Sequence, residues 1–85
     1  MPRAFTAIMR YDVLVDARNR SCPGPLIALV QAVRRAEPGD VVLLLATDPE
    51  APDDVKEWAE ALGHRVLKVN VKEGVYEIYV EVSGE

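Results

Sequence analysis

Few residues in this chain are equipped for covalent chemistry. Among 85 residues there is one cysteine, Cys22, and one histidine, His64. Cys22 stands in the run Arg20-Ser21-Cys22-Pro23-Gly24-Pro25-Leu26, where a polar loop gives way to a helical pattern. A cysteine attacks as its thiolate, and the start of a helix favours that anion through unpaired N–H groups and the positive end of the dipole. Pro23 suits the first helical position, where a missing N–H costs nothing and the fixed φ helps. Pro25 removes a further donor. Gly24 keeps its N–H and leaves the sulfur uncrowded, while Arg18 and Arg20 add positive charge nearby. The pattern predicts an exposed, rigidly presented sulfur at or beside the N-cap of the first helix. The ordinary alternative is a small buried hydrophobe, the commonest fate of a free cysteine. The polar residues before Cys22 and the two prolines after it weigh against that.

Two carboxylates are candidates to share the site. In a strand-helix-strand unit with parallel strands, the loops after both strands open at one edge of the sheet. Asp16 ends the first strand-like run and Asp48 follows the second, so both are expected near Cys22; each is equally suited to an ordinary turn or cap. His64 follows Gly63 at the far end of the second helical run, so a Cys-His pair is not expected. One cysteine and one histidine also exclude an internal disulfide and a Cys/His structural zinc site.

The elements that must position these residues are legible from periodicity. Tyr11–Asp16 reads as a short strand. From Pro23, Leu26, Leu29, Val30 and Val33 repeat at i, i+3, i+4 and i+7, a helical stripe stopped by Pro38-Gly39. Val41–Ala46, the apolar run VVLLLA, is a central strand covered on one face or both. Pro52, Asp53 and Asp54 open a second helix with Val55, Trp58, Ala59 and Leu62 inward, and Gly63 stops it. Leu67, Val69 and Val71 alternate with Lys68, Asn70 and Lys72. After Glu73-Gly74, Tyr76, Ile78, Val80 and Val82 alternate with Glu77, Tyr79 and Glu81, so the two runs form a hairpin. The order β-α-β-α-β-β predicts an α/β two-layer sandwich: a mixed four-stranded sheet with both helices on one face. On its other face VVLLLA is then expected to leave some leucine or valine partly exposed.

Residues 11–85 are read as a single domain. Residues 1–10 are read as an N-terminal extension, either a loose tail or an added edge strand. The formal charge of −4 argues against a nucleic-acid surface. No apolar run reaches membrane-spanning length and no signal peptide is visible, so a cytoplasmic protein is expected. There is no Gly-rich phosphate loop, and no cofactor is expected.

Cys22-Pro23-Gly24-Pro25 after Val15-Asp16-Ala17-Arg18, then Pro38-Gly39-Asp40, Ala46-Thr47-Asp48-Pro49, Trp58-Ala59 and Gly63-His64, resembles the TusA/SirA-like family of sulfur carriers with their CPxP motif. The resemblance covers about residues 11–82. It implies strand order 1-2-4-3 with strand four antiparallel to the rest. It implies that Cys22 accepts sulfur as a persulfide and hands it on, with the aspartate matching Asp48 near the site. The donors it implies are cysteine desulfurases or rhodanese-like proteins. The implied acceptors serve tRNA thiolation, cofactor assembly or sulfur metabolism, and the role is that of a carrier more than of a turnover enzyme. Asn19-Arg20-Ser21 stands where the family usually has Gly-Leu-Arg or similar. Asn19 can adopt the left-handed backbone of a glycine, and Arg20 alters the surface offered to partners. Two other readings use the same features: a regulatory or RNA-binding module on this fold, and a redox sensor that oxidises Cys22 reversibly.

Overall fold

A computed structural model describes residues 10–19 and 24–83. Six elements follow the predicted order: β1 (Val13–Ala17), α1 (Gly24–Arg35), β2 (Val41–Ala46), α2 (Ala51–Leu62), β3 (Arg65–Lys72) and β4 (Val75–Glu81). The strands form one sheet in the order β1-β2-β4-β3. β1 runs parallel to β2, from Val13 opposite Val42 to Ala17 opposite Ala46. β4 is antiparallel to both β2 and β3. The β3–β4 turn is tight because Glu73 (φ 52°) and Gly74 (φ 80°) both take left-handed backbone, as a two-residue hairpin of matching twist requires.

The strand period of two sorts the side chains onto two faces. Val42, Leu44 and Ala46 of β2, with Ile78 and Val80 of β4, share a buried cluster with Leu29 of α1 and Val55 of α2. Both helices therefore pack on this one face, as expected. α2 ends where predicted, on Gly63 in the left-handed conformation (φ 83°).

Three details depart from the sequence reading. β1 begins at Val13 rather than Tyr11. A register irregularity between Val66 and Lys68 turns β3 over, so Val66 joins the core in place of Leu67, which is 37% exposed. Leu62 lies in the last turn of α2 and is 57% exposed, outside the core. On the face away from the helices, the expected partial exposure is found at Val41 alone. Leu43 and Leu45 are buried there with Tyr79, and Tyr11, Val41 and Val75 pack against them. The predicted extension, apart from Arg10, lies outside the described residues.

Candidate functional site

Because β1 and β2 are parallel, their carboxyl ends meet at one edge of the sheet, with Ala17 beside Ala46. Arg18-Asn19 and Thr47-Asp48 leave the sheet side by side from there. The first of these segments leads toward Cys22. Asn19 has φ 67°, the left-handed conformation that asparagine tolerates better than most residues. Its amide nitrogen donates to Thr47 Oγ1 at 2.9 Å, joining two loops that are far apart in the chain.

Asp16 and Arg18 form a fork-to-fork pair. Arg18 Nε donates to Asp16 Oδ1 at 2.9 Å and Arg18 Nη2 donates to Oδ2 at 2.7 Å. The Arg18 amide also donates to Oδ1, at 3.2 Å. The hydrogen bonds, and then the charge, of Asp16 hold the Arg18 guanidinium above its ordinary pKa. Both side chains are about half exposed, at 48% and 49%, so solvent screens the pair and it adds little stability. Asp16, Arg18, Asn19, Thr47 and Val75 line an open depression of about 420 Å³.

Asp48 has a visible structural role. Its Oδ1 accepts from the Glu50 amide at 2.9 Å and its carbonyl accepts from the Ala51 amide at 3.0 Å. This is an aspartate turn that sets the start of α2. Beyond the Cys22 segment, the described α1 opens at Gly24, with Pro25 buried in its first turn. The sequence puts the first helical residue at Pro23, just ahead of the first described residue of α1. Arg20, Cys22 and Pro23 lie outside the described residues. Of the predicted site residues, Asp16, Arg18 and Asp48 thus come to one sheet edge, and Gly24 and Pro25 begin the helix after it.

The sequence reading gave Thr47 no role of its own. Its side chain is the link between the two loops, and the signal available was its place directly after a strand parallel to β1. His64 is at the opposite edge, as expected. Its Nδ1 accepts from the Ser83 amide at 3.0 Å, and its ring lies 5.0 Å from that of Trp58. Among the described residues, no group of three metal-ligating side chains is present, and no helix is long and apolar enough to cross a membrane.

The family model described as sulfurtransferase TusA matches residues 13–82. A protein of Archaeoglobus fulgidus, provisionally named a sulfur carrier, is 36% identical over 69 residues, which are 81% of this chain and 94% of that one. The sulfur carrier protein TusA of Pseudomonas paraeruginosa is 30% identical over 74 residues, 87% of this chain and 94% of that one. Among solved structures, a SirA-like protein of Desulfitobacterium hafniense superposes with a TM-score of 0.75 at 29% identity, covering 87% of this chain and all of that one.

Proposed function

This chain belongs to the TusA sulfurtransferase family, and from that premise we propose that it is a sulfur carrier whose Cys22 takes up sulfur as a persulfide and passes it to a second protein. One observation carries the reading. The family match spans residues 13–82, and within that span the only thiol of the chain sits in Cys22-Pro23-Gly24-Pro25.

The chemistry needs no external oxidant. The Cys22 thiolate attacks the outer sulfur of a donor persulfide; the new S–S bond forms as the donor's S–S bond breaks. The donor leaves as a thiolate and takes up a proton. Delivery is the same exchange in reverse, with the acceptor's nucleophile attacking the outer sulfur on Cys22. A persulfide is more acidic than a thiol, so a site that favours a sulfur anion favours the loaded form as well. The turn after Ala17, linked to Thr47, and the start of α1 at Gly24 with Pro25 buried bracket Cys22 in the chain.

Membership of the family implies a donor protein and an acceptor protein. For the donor we propose a cysteine desulfurase or a rhodanese-like protein. For the acceptor we propose a protein of tRNA thiolation, cofactor assembly or sulfur metabolism. One thiol and no disulfide suit a reducing, cytoplasmic setting. Residues 11–85 carry the function, with residues 1–10 an extension to it.

Intact mass after incubation with a cysteine desulfurase and free cysteine tests the proposal. The wild type gains the mass of one sulfur atom, a reductant removes it, and Cys22→Ser gains nothing. An unmodified wild type with both donor classes would overturn the carrier reading. An RNA gel shift with a steep salt dependence would put the RNA-binding module in its place.

A further inference from the structure

The two edges of the sheet differ. β3, at one edge, carries Arg65, Lys68 and Lys72, all exposed, and a register irregularity between Val66 and Lys68. Charged side chains and a broken register both keep an edge strand from pairing with another chain. β1, at the other edge, has neither guard. Its register with β2 is unbroken from Val13 to Ala17, and it contains no lysine and no proline. Its one charge, Asp16, is matched by Arg18. Among the described residues, no strand lies on its open side. There β1 and α1 enclose a groove of about 370 Å³, with Val13, Val15, Ala28 and Ala32 among its walls. Tyr11 and Asp12, just ahead of β1, lie toward β2 instead: Asp12 bonds to Val41, and Tyr11 packs against the cluster of Leu43 and Leu45.

We propose that the β1 edge pairs with the β1 edge of a second copy of this chain, antiparallel about a two-fold axis at Val15. The charges select both the occupant and the register. Only an axis at Val15 uses all five residues of β1. It sets Asp12 of each copy against Arg18 of the other, two exposed residues of opposite charge. It also sets Val15 against Val15, a β-branched pair of the kind that stabilises sheets. Moving the axis to Leu14 sets Asp12 against Asp16, and moving it to Asp16 sets that carboxylate against its own counterpart. The edge is thus self-complementary in one register, as a contact between identical surfaces must be. The helices fit as well. α1 packs over both β1 and β2, so strand spacing places the two α1 helices about 10 Å apart, a distance at which helices pack. Ala28 and Ala32 are small enough for that approach. The result is one continuous sheet whose two outer edges are both the guarded β3.

Sedimentation velocity of the full chain tests the association, and cross-linking tests the edge. Thermal melts first establish that each variant is folded. As the wild type is raised from micromolar to millimolar concentration at low salt, its mass moves from that of one chain toward that of two. Arg18→Glu sets like charges together at both ends of the ladder and weakens the association by about tenfold or more. For cross-linking, Cys22→Ser removes the native thiol. In that background Val15→Cys is joined into a covalent dimer by mild oxidation or a short thiol cross-linker, whereas Val71→Cys, on the β3 edge strand, stays monomeric. A wild type that remains monomeric at millimolar concentration overturns the proposal. So does a dimer that Arg18→Glu leaves unweakened at low salt, and so does one that cross-links through Val71→Cys in place of Val15→Cys, since it would use the other edge. None of these measurements involves sulfur uptake, so they decide the proposal whatever becomes of the carrier reading.

Discussion

Asp12 and Val41 are joined twice across the head of the parallel strand pair. The Asp12 amide donates to the Val41 carbonyl at 2.8 Å. The Val41 amide donates back to Asp12 Oδ2 at 2.9 Å. A side chain here takes a place in the ladder that backbone would otherwise fill, which accounts for β1 starting at Val13. The pair also sets the register that brings Ala17 beside Ala46 and, beyond them, Asn19 beside Thr47. Asp12→Ala leaves the Val41 amide without this acceptor and should cost about 1 kcal/mol. Asp12→Asn, which keeps a side-chain oxygen, should recover most of the loss. Urea denaturation of the three proteins checks the order, and an alanine variant as stable as the wild type would contradict it.

The β3–β4 turn offers a stabilising change. Glu73 occupies a left-handed position (φ 52°) ahead of Gly74 (φ 80°). Asn-Gly is the favoured pair for this geometry, since asparagine pays less for positive φ. Glu73→Asn should therefore stabilise the protein by roughly 0.5 kcal/mol. Gly74→Ala should destabilise it by about 1 kcal/mol, although the space around Gly74 is open, because the strain lies in the backbone. Thermal melts of both variants should move in opposite directions.

Most of the fold was legible because each element carries its own period and punctuation. Val55 and Ala59 stand on one helical face, and Ile78 and Val80 on one strand face. The misreadings fall where a tertiary feature interrupts the period. The irregularity in β3 sends Leu67 outward against strict alternation, and nothing in the residue types around it announces the shift. Burial of Leu43 and Leu45 depends on groups distant in sequence, such as Tyr11 and Val75, which a strand pattern does not report. At the site, Asp16, Arg18 and Asp48 could be nominated from topology alone. The part played by Thr47 could not, because a threonine after a strand is common and its partner lies far back in the chain.

His64 is a candidate for structure rather than chemistry. Its Nδ1 accepts from the Ser83 amide and its ring packs on Trp58, tying the C-terminal end of α2 to the end of β4. His64→Ala removes both contacts and should cost about 1–2 kcal/mol. Sulfur uptake by the folded variant should match the wild type, since this edge is opposite the one that carries Thr47 and Asp48. Uptake abolished in a folded His64→Ala would show that the far edge takes part in the chemistry.

Arg18 tests the electrostatics of the candidate site. Its pairing with Asp16 is half exposed, so Arg18→Ala should change the melting temperature little. The variant nevertheless leaves the Asp16 charge without its guanidinium. Arg18 and Cys22 are four residues apart, so the extended chain limits their separation to about 14 Å. That is within the screening length at about 0.01 M salt and beyond it at about 1 M. Loss of a positive charge within this range disfavours a neighbouring sulfur anion, so Cys22 should become less reactive. The alkylation rate of Arg18→Ala at neutral pH and low salt should fall on the order of twofold below the wild type, and the difference should vanish at high salt. A deficit that persists in high salt would mean that Arg18 acts by shaping the loop rather than through its charge.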